Sequence, residues 1–270
     1  MNYENLTTKE LFDILNNMCP LGIQEDWDNS GVQLDLGKSV TKILTCLEVT
    51  SKVIDEAVRC KADLIVSHHP LFMKFQQIVS LSTDKVPDKY CIRLIEEGIS
   101  LYSAHTNFDA MTSGNNDELG KILGFDQVSL MGDDAGICRM TTLKEPMKAE
   151  QVCKQVATAL DLDVSKLPFT GDFDGLITKI GWCTGAGSSF LKEGRRAGVE
   201  LFITGDIKYH DAQNALEMGP MLLDIGHYGS EKIFAQNMSK LITKELTEAG
   251  LSQIEVVSST VNLDPFKFMA

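Results

Sequence analysis

Histidine is scarce in this chain, five in 270 residues, and every one lies in a short polar cluster that follows an apolar run. The clusters read Ser67-His68-His69-Pro70, His105-Thr106-Asn107-Phe108-Asp109, Tyr209-His210-Asp211 and Gly226-His227-Tyr228-Gly229-Ser230-Glu231. Imidazole is the side chain best suited to binding a transition metal or moving a proton near neutral pH. Three of the four clusters also carry a carboxylate. The chemistry indicated is that of a metal-dependent catalyst or a metal-binding protein.

Each cluster alone supports a plainer reading. Adjacent residues on a strand point to opposite faces, so His68 and His69 fit one buried and one exposed side chain. A turn at Pro70 would equally let the two imidazoles reach two different metal ions. His105 and Asp109 fit a polar turn that Asn107 fixes through its own backbone. His227 and Glu231, at i and i+4 near a helix start, share a face, with Ser230 a candidate cap. Such pairs also occur as solvated helix contacts.

The ensemble carries more than its parts. Three histidines and two carboxylates come from three strand ends, which a parallel sheet sets along one edge. The set is too large for a tetrahedral structural zinc and contains no cysteine. It suits two metals about 3.5–4 Å apart, bridged by a carboxylate and a water or hydroxide. Its N/O donors admit Zn, Fe, Mn or Ni.

Two further segments lie beside strands. Thr204-Gly205-Asp206-Ile207-Lys208-Tyr209-His210 could bring Asp206, Lys208 and His210 toward the same edge, with His210 as acid/base, supporting or structural residue. Gly185-Ala186-Gly187-Ser188-Ser189 offers backbone N–H groups to a phosphate. It lacks the Lys of a Walker loop and the third Gly of a dinucleotide fingerprint, so a tight turn needing small residues fits as well.

The elements that must position these residues alternate. Thr7-Thr8-Lys9-Glu10 fits a capping box opening a helix with Leu11, Ile14, Leu15 and Met18 as its stripe. Residues 42–49 and 63–66 read as strands, with a helix capped by Ser51 between them. A helix near 87–97 and a strand over 99–103 deliver His105. The second half repeats the pattern, with helices at 147–160, 212–218 and 231–246 and strands at 176–183, 200–204 and 221–225. The fold expected is α/β: two linked lobes, residues 1–130 and 131–270, exchanging elements, with mixed, mostly parallel sheets covered by helices and the metal site between the lobes. Residues 126–138, with Gly132-Asp133-Asp134, are the candidate boundary.

Composition narrows the partners. With 43% hydrophobic and 23% charged residues the chain can bury a full core. A net charge of −13 argues against nucleic acid or an anionic membrane as partner. Seven dispersed cysteines without a CxxC pair fit a reduced interior. The polar start Met1-Asn2-Tyr3-Glu4-Asn5 does not read as a signal peptide, and a cytoplasmic protein is expected.

Taken in order, these motifs resemble those of the Nif-three-like dinuclear metal-centre proteins, many of which carry the name GTP cyclohydrolase 1 type 2. The resemblance runs from Trp27-Asp28-Asn29-Ser30-Gly31 through the His-His-Pro, His-Thr-Asn-x-Asp and Gly-His-x-x-Ser-Glu motifs to Asp264-Pro265-Phe266. It implies His68, His69, Asp109, His227 and Glu231 as ligands of two divalent metals, with Glu231 bridging, and a toroidal homohexamer. Where the family has Gly-Gly after the aspartate, this chain has Ser113-Gly114-Asn115-Asn116. The activity implied is hydrolytic opening of the GTP imidazole ring, with formate released and a bridging hydroxide attacking. His105 and His210 would then carry protons, and Lys208 and Asp206 would contact substrate. A metal-dependent phosphoesterase or other small-molecule hydrolase, or a non-catalytic metal-binding regulatory protein, is the alternative, since a fold does not fix an activity.

Overall fold

The computed structural model describes residues 6–73, 80–132 and 136–267. Met1 to Asn5, and Asp133 and Asp134 of the expected boundary, lie outside the described residues. The strands among them are β1 (Gly31–Leu34), β2 (Lys42–Cys46), β3 (Leu64–Ser67), β4 (Ser100–Ser103), β5 (Ser129–Leu130), β6 (Arg139–Lys148), β7 (Phe169–Thr170), β8 (Leu176–Trp182), β9 (Leu201–Thr204), β10 (Met221–Asp224) and β11 (Glu255–Ser258). The α-helices are α1 (Thr8–Met18), α2 (Ser51–Cys60), α3 (Asp88–Glu97), α4 (Thr106–Ala110), α5 (Asn115–Ile122), α6 (Ala149–Ala159), α7 (Leu191–Arg196), α8 (Tyr209–Met218), α9 (His227–Glu231) and α10 (Phe234–Glu248).

Two compact units result. The first holds Met1–Phe108 with Phe234–Ala270, the second Asp109–Ile233. The expected division near residue 130 compares with unit limits at 108/109 and 233/234. The reason lies in strand pairing: β11 adds to β2 as a parallel edge strand and returns the C-terminal segment to the first unit. A Lys42–Glu255 ion pair of 2.6 Å accompanies that pairing.

The first unit's sheet has the order β1-β4-β3-β2-β11, parallel except for β1 against β4. β3, Leu-Ile-Val-Ser, is buried throughout, as a strand covered on both faces must be. Ile65 pairs with Leu44 on one side and Leu101 on the other, within a core that also takes Val53, Ile54 and Leu94. Ser67 and Ser103 stand in register with hydroxyls 2.8 Å apart. β3 and β4 therefore end at one level, and His68 and His105 leave the sheet together. The expected capping box holds α1, with Thr7 and Glu10 bonded reciprocally. α2 is capped by Thr50 rather than Ser51, because Thr50 has the extended backbone and accepts the Val53 N–H.

The second unit's sheet has the order β5-β6-β8-β9-β10-β7. Its centre, β8-β9-β10, is parallel, while β5 and β6 on one side and β7 on the other run antiparallel. Parallel pairing thus concentrates in the first sheet and in the middle of the second. β6 was not anticipated: its residues are mostly solvated, and its register with β8 breaks between Thr142 and Met147, around Pro146. Trp182, fully buried, anchors the core and donates its indole N–H to the Asn116 carbonyl at 2.8 Å. The long helix expected from 231 is two helices, α9 ending at Glu231 and α10 starting at Phe234.

Candidate metal centre

In the first unit three imidazoles converge. Ligand nitrogens of His68, His69 and His105 all lie within 4.8 Å of one another. His68, fully buried, approaches the Ala104 carbonyl with Nδ1 at 2.8 Å. A carbonyl only accepts, so Nδ1 carries the proton and the ring's lone pair lies at Nε2, the tautomer a metal requires. Phe234 covers the same ring, with centroids 4.7 Å apart. His105 Nδ1 meets Asp28 Oδ1 at 2.9 Å, which fixes its tautomer in the same way.

Asp28 is almost wholly buried yet accepts from five donors: His105, Asn29 N–H, the Ser30 hydroxyl, and the N–H and hydroxyl of Thr106. Burial pushes its carboxyl up, but the His105 hydrogen bond and charge and the Thr106 donors hold it well below the usual carboxylate range. Asn107 ties the turn as anticipated, accepting from the His105 N–H at 3.0 Å and donating to the Cys19 carbonyl. Trp27, half exposed, sets its ring edge-on to His105.

In the second unit the donors are mostly carboxylates. Asp109, buried on α4, accepts from the Thr184 hydroxyl at 3.2 Å. Glu231, buried at the end of α9, meets His227 Nε2 at 3.0 Å. His227 Nδ1 meets Asp206 Oδ2 at 2.8 Å. The Glu231 hydrogen bond, against the opposing effect of burial and with help from Asp206, raises the His227 imidazole to about 9. Without a metal His227 is therefore an imidazolium between two carboxylates; a cation there would take the place of its proton.

Glycines make this packing possible. Gly185 has φ +66°, and a Cβ on it would overlap Glu231 Oε1. A Cβ on Gly205 would come within 2.5 Å of the Gly226 and His227 backbone. Within Gly185 to Ser189, the Gly185 N–H is taken by the Ser230 hydroxyl and that of Gly187 by Thr204, at 2.9 and 2.8 Å, so these two groups serve the turn and are not open to a phosphate. Ser230 is accordingly not the cap of α9, which is Gly226. Of the 204–210 segment, only Asp206 joins the cluster. Lys208 is the N-cap of the exposed α8, and His210, also exposed, stacks edge-on against Tyr209.

Asp28 and Thr184 are the site residues that the reading by motif chemistry passed over. Asp28 sat in view as a polar turn, but its partner lies 77 positions away. Thr184 lies two residues past β8, as His105 lies two residues past β4.

Two mixed α/β units whose strand ends gather imidazoles and carboxylates define a protein equipped with candidate metal-binding clusters. The chain belongs to the Duf34/NIF3 (NGG1p interacting factor 3) family, which it matches over residues 6–265. It is 34% identical over 271 residues to a Clostridium acetobutylicum protein named GTP cyclohydrolase 1 type 2 homolog, covering 98% of this chain and 99% of that one. A Helicobacter pylori protein named GTP cyclohydrolase 1 type 2 is 32% identical over 235 residues, 87% of this chain and 90% of its own. Among solved structures, a Staphylococcus aureus hypothetical protein superimposes with a TM-score of 0.91 at 25% identity, covering 98% of this chain and all of that one. A Bacillus cereus protein related to NIF3 gives 0.89 at 21% identity, covering 98% and 99%. Among the described residues, no helix is long and apolar enough to cross a membrane.

Proposed function

We propose that the protein is a dinuclear metal-dependent hydrolase acting on a nucleotide, in its most specific form a GTP cyclohydrolase. The observation that carries this reading is the tautomer control in the first unit, where Nδ1 of both His68 and His105 is engaged by an oxygen acceptor. Each ring keeps its lone pair at Nε2, and ligand nitrogens of these two and of His69 converge within 4.8 Å of one another. His68, His69, Asp109, His227 and Glu231 would hold two divalent metals, of which Zn, Fe, Mn and Ni all suit the donors. Bound there, such metals would acidify a water and polarise the substrate.

The chain's own residues then have distinct tasks. Asp28 holds His105 in one orientation, so that its Nε2 accepts a proton from the attacking water and returns it to the ring nitrogen as the imidazole opens. His227 would give up its Nε2 proton before it could bind, which frees Glu231 and leaves Asp206, at Nδ1, as its hydrogen-bonded anchor. Lys208 and Asp206 are the candidate contacts for triphosphate and ribose, and His210 a second candidate proton carrier on α8. A toroidal homohexamer, the assembly suggested by the family resemblance, would show in solution as a sixfold mass by light scattering.

The test is direct. Protein loaded separately with each metal is incubated with GTP, and formate and pterin fluorescence are followed against an Asp109→Ala control. Turnover by the native protein alone supports the reading. No turnover above the control with any metal removes it, and leaves a metal-binding protein without GTP cyclohydrolase activity.

A further inference from the structure

Outside the metal clusters, two cysteines face each other across neighbouring strands. β6 and β8 are antiparallel with Arg139 opposite Trp182, so the next pair outward is Cys138 opposite Cys183. The Cys183 N–H donates to Ile203 on β9 at 3.0 Å, which turns it away from Cys138. The two cysteines therefore form a non-hydrogen-bonded pair, the arrangement in which opposed Cα atoms approach to about 4.5 Å and side chains lie closest. That separation falls inside the range a disulfide spans, about 4.4–6.8 Å. Opposed residues share a sheet face, and both cysteines are buried in one apolar cluster with Met131, Val199 and Phe202.

We infer that Cys138 and Cys183 are a thiol modification site that closes to an intramolecular disulfide when the folded protein meets a small-molecule disulfide. One cysteine attacks the oxidant's S–S bond as thiolate, forming a mixed disulfide and releasing one small thiol. The second cysteine attacks that mixed disulfide and releases the other. Two protein thiols lose two electrons and two protons, and the oxidant is reduced to two thiols. The hydrogen bond to Cys138, together with burial, holds the Cys183 thiol well above its ordinary range, so its attack as thiolate is slow. Access comes through the strand end, since Cys138 lies two residues from the exposed Gly136.

Closure would act on the acidic cluster. A Cβ on Gly187 would lie 2.5 Å from Cys183 Cβ and 3.2 Å from its sulfur, so the Gly185–Gly187 turn rests on this side chain. The residue after Cys183, Thr184, donates to Asp109.

The folded protein is incubated with oxidised glutathione, quenched with acid, alkylated and digested. The expected result is a peptide joining Cys138 to Cys183, lighter by about 2 Da than the two reduced peptides together. Amide exchange at 183–187 should change in the linked form, and Cys138→Ala should abolish both effects. Absence of that peptide under conditions that modify the partly exposed Cys60 would overturn the proposal, as would a linkage of Cys138 or Cys183 to any other cysteine. Neither readout uses metal or turnover, so the outcome stands apart from the proposed activity.

Discussion

The imidazole cluster of the first unit and the acidic cluster of the second solve the same problem by opposite means. In the first, a buried carboxylate with five donors fixes the turn that carries His105, and a backbone carbonyl fixes His68. Both rings are oriented, each with Nδ1 engaged, before any ligand arrives. In the second, the backbone is brought close by glycines and the one imidazole, His227, is protonated by its neighbours. The first cluster is organised by charge it has already buried, the second by space kept open and a proton that must leave. That contrast predicts different failures for the two.

Space should break most easily at Gly205. Its missing Cβ faces main chain on two sides, which cannot swing away as a side chain can. Gly205→Ala is expected to cost about 4 kcal/mol, at the high end for a single substitution. The urea midpoint measures the loss, and amide exchange should place it in β9 and β10. Gly37→Ala is the control, since Gly37 has φ +64° but, among the described residues, no atom within 4 Å of the added carbon. It should cost only the left-handed strain, about 1–2 kcal/mol. Equal costs at the two sites would remove the argument from close approach.

Charge should break at Asp28. Asp28→Asn keeps the shape but loses an acceptor for His105 and Thr106, and is expected to cost about 2–3 kcal/mol near neutral pH. The sign of the pH dependence follows from the lowered carboxyl. A depressed folded value means that the unfolded chain binds the proton first. Stability from Asp28 is complete above the ordinary carboxylate value and is lost as pH falls toward the folded one. The melting temperature of the native protein should therefore drop more steeply below about pH 4 than that of Asp28→Asn. Parallel curves would mean that the buried carboxylate is not what organises this cluster.

The same contrast explains what was legible in the sequence. Apolar runs ending on histidines located β3 and β4 and the residues that leave them, because a buried parallel strand writes its position as an unbroken hydrophobic run. The strand β6 left no such trace, being half-solvated and interrupted at Pro146. The role of Asp28 could not be read either, since its partner is set by the register of β1 against β4 rather than by spacing along the chain. The Gly185 loop admitted two readings from sequence alone. Small residues between a strand and a helix suit both a phosphate and a buried glutamate, and only the partners of the N–H groups decide.

The proton on His227 gives a smaller and more specific effect. Because its folded value is raised to about 9, its ion pairs stabilise the metal-free protein fully below the ordinary imidazole range, and that contribution is lost as pH rises through about 9. Metal uptake runs the other way. A divalent ion must displace the proton, so zinc affinity should climb by about tenfold per pH unit toward 9 and then level off. Chelator competition at fixed ionic strength measures it. Asp206→Asn removes one of the two carboxylates that hold the proton, and should move the plateau to lower pH. A zinc affinity flat from pH 6 to 9 would show that His227 takes no part in binding.

His210 should give the smallest effect of all, and for that reason separates the two readings of its cluster. It is the same residue type as His105 but lies inside α8, where among the described residues no carboxylate or carbonyl fixes its ring and no core covers it. His210→Ala should change stability by less than about 0.5 kcal/mol, as exposed substitutions do. Zinc affinity should stay within about twofold, far short of the 10- to 100-fold that follows loss of a ligand's supporting group. If turnover is found, His105→Ala should lower kcat by roughly a hundredfold or more, as removal of an oriented proton carrier does. A comparable loss in His210→Ala, with metal content unchanged, would place α8 over the substrate and make exposure, rather than preorganisation, the mark of the second proton carrier.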